Sequence, residues 1–206
     1  MGSSPSTNEH LARFMIWVDG VGGYLVCCDK ENSIGQATED SEVSIPISGD
    51  IHRSHASILS DADAHLLHPI GPVSVDGRPL KHPTVLKDRQ TFMMGGSVAL
   101  GYRKPHPWST SAVIRFESGN RTFPWSDAVI IAGDTVVLGP NAQSHIRCTR
   151  WEQEVFLLRR EGRWYCRSFA DFSIDGEAIK LEGGIHGKSR IEGRDFSFSI
   201  ESLDLQ

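Results

Sequence analysis

The sequence predicts an all-β protein made of two tandem β-sandwiches. Three observations carry this. Apolar residues recur with period two, or in short unbroken runs, along almost the whole chain, and strand-length runs spaced by turn residues are the pattern of sandwiches. No amphipathic helical pattern of ten or more residues interrupts them. The order of segments in residues 14–104 then returns in residues 112–206, an internal repeat with one ordinary domain per copy.

In chain order the first half offers YLVCC (24–28), VSIPI (43–47), HASIL (55–59), AHLLH (64–68), PVSVDG (72–77), TFMMGG (91–96) and SVALGY (97–102). The second offers AVIRF (112–116), AVIIA (128–132), TVVLG (135–139), HIRC (145–148), VFLLRR (155–160), RWYCR (163–167), FSIDG (172–176) and FSFSIE (196–201). SIGQ (33–36) answers VLGP (137–140), VSVDGRPL (73–80) answers FSIDGEAI (172–179), and TFMMGGSVALGY (91–102) answers SRIEGRDFSFSI (189–200). Asp76-Gly77 and Asp175-Gly176 stand between runs and predict tight hairpins, in which the glycine supplies a positive φ. Two prolines in RKPHPWSTS (103–111) predict an extended connector over 105–111. The expected domains are therefore 14–104 and 112–206, preceded by a disordered tail or cloning remnant over 1–13.

Composition limits the function. The net charge is −5. Residues 14–104 carry 8 basic and 11 acidic side chains, and residues 112–206 carry 12 and 14. Neither half has the positive excess that a phosphate backbone requires, so nucleic acid is not an expected partner. No apolar run reaches the roughly 20 residues that cross a bilayer, and the first ten residues lack the pattern of a signal peptide, so no membrane partner is expected. Cys27, Cys28, Cys148 and Cys166 show no C-x-x-C spacing. They read as buried thiols in a reducing compartment, which predicts a cytoplasmic protein without metal or cofactor.

The chemistry-bearing stretch of the first half is ISGDIHRSHASI (47–58). Around it, in order, stand Ile34-Gly35-Gln36, then His52-Arg53-Ser54-His55-Ala56 with Ile58, Val75-Asp76-Gly77, Met94-Gly95-Gly96 and Leu100-Gly101. In this pattern residues 14–104 resemble the forkhead-associated (FHA) family, and 112–201 resemble it more loosely. The resemblance implies a sandwich of about eleven strands per copy, and a loop end that binds phosphothreonine peptides in a signalling role. It implies ligand-facing roles for Gln36, His52, Arg53, Ser54 and Gly71, and loop-bracing roles for Gly35, His55 and Gly77. Three ligand positions depart from the family. Gln36 stands where the family has Arg, His52 where it has Ser, and Gly71 falls near its Asn. A dianion is held best by charge-assisted bonds and a guanidinium fork, each bond contributing about 1.5–3 kcal/mol. Two weakened contacts reduce affinity by roughly two to four orders of magnitude. In the second copy Gly139 is followed by Pro140, and the bracing position falls near Val155.

Other constellations read more plainly. His52/His55 and His65/His68 are three apart, a spacing that on a strand turns side chains to opposite faces, so no metal site is expected. Ser54 or Ser57 beside His55 lacks any Gly-x-Ser-x-Gly elbow, so no catalytic residue is expected. Arg53 is either a ligand contact or a loop arginine paired with Asp50. Arg147, Arg150, Arg159, Arg160, Arg163 and Arg167 form either cross-strand pairs with Glu152, Glu154 and Glu161 or a basic face for an acidic partner. Trp17 and Trp164 are expected in the core, and Trp108 and Trp125 at the junction of the copies. The expected function is a non-enzymatic protein-interaction module whose phosphothreonine site is eroded. The alternative is a phosphothreonine-peptide reader with a reshaped anion site in the first copy. In both the partner is a protein or peptide.

Overall fold

The computed structural model describes residues 11–106 and 108–203. Residues 1–10 of the expected tail, and Pro107 of the expected connector, lie outside them. Leu11 and Arg13 do not belong to a tail: Leu11 is buried and Arg13 opens the first strand.

Every element is a strand, and there is no helix among the described residues. The first copy contains β1 (Arg13–Val18), β2 (Gly22–Cys27), β3 (Glu31–Gln36), β4 (Ile45–Ile47), β5 (Ala56–Asp61), β6 (Ala64–Pro69), β7 (Val73–Val75), β8 (Arg78–Pro79), β9 (Thr84–Val85), β10 (Thr91–Met94) and β11 (Val98–Arg103). The second repeats the series as β12 (Ala112–Phe116), β13 (Ala128–Ile131), β14 (Thr135–Gly139), β15 (Ile146–Arg147), β16 (Val155–Arg160), β17 (Arg163–Ser168), β18 (Phe172–Ile174), β19 (Glu177–Ile179), β20 (Glu182–Ile185), β21 (Arg190–Gly193) and β22 (Ser197–Ser202). The two Asp-Gly hairpins form as the sequence predicts. Both central residues of each have positive φ: 48° and 77° at Asp76 and Gly77, 54° and 85° at Asp175 and Gly176.

Two small sheets each belong to one copy. They run β4-β3-β5-β6-β9 and β15-β14-β16-β17-β20. The remaining strands form one twelve-stranded sheet in the order β19-β18-β21-β22-β1-β2-β13-β12-β11-β10-β7-β8. In it the leading hairpins are exchanged. β1, the first strand of the chain, pairs antiparallel with β22 at its end, with Ile16 opposite Ile200. The first strand of the second copy, β12, pairs with β11, with Tyr102 opposite Ile114. The expected boundary at 105–111 therefore falls between two paired strands of one sheet. One sandwich is a continuous stretch from β3 to β13, and the other joins β1 and β2 to β14–β22.

Equivalent strands meet at the seam, where β2 and β13 run parallel with Leu25 beside Val129 and Cys27 beside Ile131. The two small sheets cover opposite faces there. Leu25, Cys27, Val129 and Ile131 point into the core of the first sandwich. Their neighbours Val26, Cys28, Ile130 and Ala132 point into the core of the second. β1 divides likewise, with Met15 in one core and Phe14, Ile16 and Val18 in the other. This explains why YLVCC and AVIIA are unbroken rather than alternating: a strand buried on both faces has no solvent side to leave polar. Full burial of each such Val, Leu or Ile contributes about 1.5–3 kcal/mol, so the seam ties the two cores energetically.

Trp164 meets Phe14 edge-on at 5.7 Å between ring centroids, in the second core. Trp17 packs half-buried against the first. Trp108 and Trp125 are not junction anchors: they are 91% and 51% exposed, on connections that run over the surface.

Candidate functional site

Three connections meet at one end of the first sandwich: β3–β4 (37–44), β4–β5 (48–55) and β6–β7 (70–72). His55 ties the β4–β5 and β6–β7 connections to β3 and is fully buried. Its Nδ1 accepts the His52 backbone N–H at 3.0 Å. That leaves the proton on Nε2, which donates to the Pro72 carbonyl at 2.9 Å, so the ring is neutral with a defined tautomer. Its backbone N–H donates to the Ile34 carbonyl at 2.8 Å, and its carbonyl accepts N–H bonds from Ile70 and Gly71.

Two glycines make room for this post. A Cβ at Gly35 would stand 1.8 Å from the Arg53 carbonyl oxygen. At Gly71 it would stand 2.8 Å from the His55 ring and 2.9 Å from that of His52. Gly71 thus lets the β6–β7 connection close over both imidazoles. Gly77 is not brought to this end. It turns the β7–β8 hairpin, about 10 Å along β7 at ~3.3 Å per residue.

His52, Arg53 and Ser54 are exposed in succession on the β4–β5 connection. The rings of His52 and His55 meet edge-to-face at 5.0 Å. The expectation that they face apart assumed a strand, and these residues lie in a loop instead. Gln36 is committed inward: its backbone N–H donates to the His52 carbonyl at 3.0 Å, and its side-chain Nε2 donates to the Gly49 carbonyl at 3.3 Å. Arg53 does not pair with Asp50 and makes no ion pair among the described residues. Glu39, Asp40, Glu42 and Asp50, on the β3–β4 and β4–β5 connections, are all exposed, so these connections carry four exposed carboxylates and one guanidinium.

At the corresponding end of the second sandwich Glu154, one residue before the expected position, takes the place of His55. It accepts hydrogen bonds from Asn141 Nδ2 at 3.0 Å and Ser144 Oγ at 3.3 Å. Here the carboxylate braces the β14–β15 connection, which the imidazole does not do in the first copy.

The remaining reactive groups are inward. Ser57 is buried and donates to Glu31 Oε1 at 2.7 Å, not to a histidine. All four cysteines are buried, and none is in a disulfide. Burial pushes the thiols of Cys148 and Cys166 up to about 12 and that of Cys27 higher still. A thiol so placed is not a nucleophile at neutral pH. Two further histidines, His65 of the pair weighed above and His145, are buried neutral. His65 Nδ1 lies 2.7 Å from the Tyr102 hydroxyl, and burial, with Lys104 adding, pushes it down to about 4. His145 Nδ1 accepts the Val137 N–H at 2.9 Å, and burial, with His106 adding, pushes it down to about 4. No group of three or more His, Cys, Asp or Glu side chains is placed to hold a metal among the described residues.

The second copy's arginines divide. Arg160 forms a two-pronged pair with Glu182 at 2.6 and 2.9 Å, not with the expected glutamates. Arg159 donates to the Cys28 carbonyl at 2.7 Å, and Arg167 lies 5.5 Å over the Phe169 ring. On β17, Arg163, Tyr165 and Arg167 face outward while Trp164 and Cys166 face the core, as the alternation predicts.

No family model matches this chain, and no curated protein matches it. Among solved structures it is similar to a chain described as the N-terminal FHA domain from EssC, a component of the bacterial Type VII secretion apparatus. The identity is 12%, 93% of each chain is covered, and the TM-score is 0.27. At that score no residue role passes from one chain to the other.

Proposed function

We propose that the chain is a non-enzymatic protein-interaction module of two FHA-like sandwiches, and that the loop end of the first takes a protein or peptide without needing phosphothreonine. The observation that carries this is the charge of the β3–β4 and β4–β5 connections. Glu39, Asp40, Glu42 and Asp50 outnumber Arg53 four to one, and Gln36 spends its amide on Gly49 rather than on a ligand. A dianion brought there gains one guanidinium on connections that carry four carboxylates. Each carboxylate that comes within about 8 Å of a dianion in water repels it by roughly 1 kcal/mol, which works against the single attraction. The buried cysteines, none of them in a disulfide, fit a reducing, cytoplasmic compartment. Neither half has the basic excess of a nucleic-acid binder.

The second reading, a phosphothreonine reader with a reshaped anion site, draws on one observation. His52, Arg53 and Ser54 are exposed side by side at the rim. Fluorescence polarisation with a phosphothreonine peptide library and its unphosphorylated twins separates the two. The proposed module binds both members of a pair within a factor of about three. A hundredfold preference for the phosphorylated member, lost in Arg53→Ala, establishes the reader instead.

A further inference from the structure

The two small sheets end in equivalent edge strands, β4 in the first sandwich and β15 in the second, and the chain treats them differently. In the first, the long β12–β13 connection lies along β4 as an added strand. Thr122 bridges antiparallel to Ile47, the Ser48 N–H donates to the Arg121 carbonyl at 2.8 Å, and the Phe123 N–H donates to the Pro46 carbonyl at 3.0 Å. The corresponding β1–β2 turn in the second sandwich is only Asp19-Gly20-Val21, too short to reach along β15.

The β15 edge is therefore open. Gly139 pairs with Arg147 as Gly35 pairs with Pro46, and the Cys148 N–H is turned inward onto the Gly139 carbonyl at 2.8 Å. By the same register Arg147 presents its carbonyl outward, as Pro46 does to Phe123, and an N–H that Pro46 lacks, and Thr149 presents its N–H, as Ser48 does to Arg121. Among the described residues nothing pairs with these outward groups of Arg147 and Thr149. In place of the segment there is a cavity of about 560 Å³, within the range of ligand sites.

With Arg190 counted beside its lining, the cavity sets four guanidiniums against three carboxylates, an excess of one positive charge. Asp19 is held by Arg190 and Ser197, which keep its carboxyl below the usual range. Glu192 lies 3.4 Å from Arg190, and Asp195 accepts the Glu152 N–H. Arg150 donates to the Gly20 carbonyl at 3.2 Å. Arg147 and Arg194 line the cavity and make no ion pair or side-chain hydrogen bond among the described residues. Trp151, tilted against Phe196 with ring centroids 5.4 Å apart, forms an apolar floor.

We infer that the open β15 edge beside the β1–β2 turn is a docking groove for an extended, acidic segment of a protein partner, which adds to the sheet where residues 121–123 add to β4. An unpaired strand edge is a template for such pairing, with main-chain bonds supplying affinity and alternate side chains selectivity. The partner's acidic side chains, two residues apart, face Arg147 and Arg194. This is a second surface, independent of the loop end around Arg53.

The probe is a labelled set of nine-residue peptides with Asp or Glu at alternate positions and Val or Thr between, beside a set with Lys in the acidic positions. The acidic set is expected to bind, to slow exchange of the Arg147 and Thr149 amide protons, and to lose at least tenfold in affinity to R147E/R194E. A chain whose residues 19–21 are replaced by the 117–127 sequence is expected to keep a single cooperative unfolding transition and lose the peptide, because it covers its own edge. Arg53→Ala leaves this binding unchanged. If R147E/R194E does not fold, Arg147→Pro serves, with Pro46 as its precedent. Equal binding of the Lys set, protection elsewhere, or retained affinity in the folded variants overturns the inference.

Discussion

The two copies use the same eleven strands in the same order, yet their loop ends are braced by opposite chemistry. In the first a neutral, fully buried imidazole links two connections and β3 through both ring nitrogens and its backbone. In the second a half-buried carboxylate holds two polar side chains of one connection. The framework tolerates either, because its stability comes from cores shared across the twelve-stranded sheet and not from the tips. The tips are free to diverge, and recognition is built there.

The strongest way to break this comparison is to separate the copies. Residues 1–104 produced alone keep β1 and β2 but lose β12, β13 and β22, which leaves the β11 edge unpaired and Phe14, Ile16 and Val26 bare. That fragment is expected to show no cooperative unfolding transition. Mixing it with residues 105–206 is expected to restore one, read by near-UV circular dichroism. An independently folded 1–104 would mean that the hairpins are not exchanged.

Next in size is a pair of matched substitutions. Gly35→Ala drives a methyl against the Arg53 backbone carbonyl and is expected to cost about 3 kcal/mol. Gly139→Ala meets mainly the Glu154 side chain, at 2.7 Å, with its Cα at 3.0 Å, and is expected to cost about 1 kcal/mol. Denaturant midpoints measure both. Equal costs would show the two ends to be equally rigid.

The buried histidines set an acid limit on each half. His65 and His145 take up a proton near 6.5 when unfolded but only near 4 when folded. Between these values the unfolded chain holds more protons, so stability is complete above about pH 6.5 and falls as pH drops toward 4. At pH 5 the loss is about 2 kcal/mol per histidine. Urea titrations from pH 7 to 5 are expected to show the fall, and His65→Gln to remove about half of the slope.

The smallest expected effect is that of Arg53→Ala on stability, within about 0.5 kcal/mol, because the guanidinium is exposed and makes no ion pair among the described residues. A larger change in thermal midpoint would assign Arg53 to the framework instead of the rim.

Much of this molecule is written locally. The period of two, the Asp-Gly turns and the repeated order of segments follow from neighbouring residues, so the all-β class, the two hairpins and the recurrence of segments were legible without coordinates. So was the cluster of His52, Arg53 and Ser54, since consecutive residues on one connection stay together. The inward turn of Gln36 was not legible, because it depends on where the Gly49 carbonyl falls, thirteen residues away. The open β15 edge was hidden for the same kind of reason: it is defined by the shortness of a turn more than a hundred residues earlier in the chain.

By itself, then, the sequence determined which segments are strands, where the chain turns, and that one pattern occurs twice. Tertiary structure alone decided which hairpin completes which sandwich. The edges of β11 and β22 offer equivalent backbone donors and acceptors, and both leading hairpins are apolar enough to satisfy either. No local pattern distinguishes the two pairings, and the choice is made only when both cores close on opposite faces of one sheet. The single local trace it leaves is the unbroken apolar character of residues 24–28 and 128–132, since a strand with a core on each side has no face left for water.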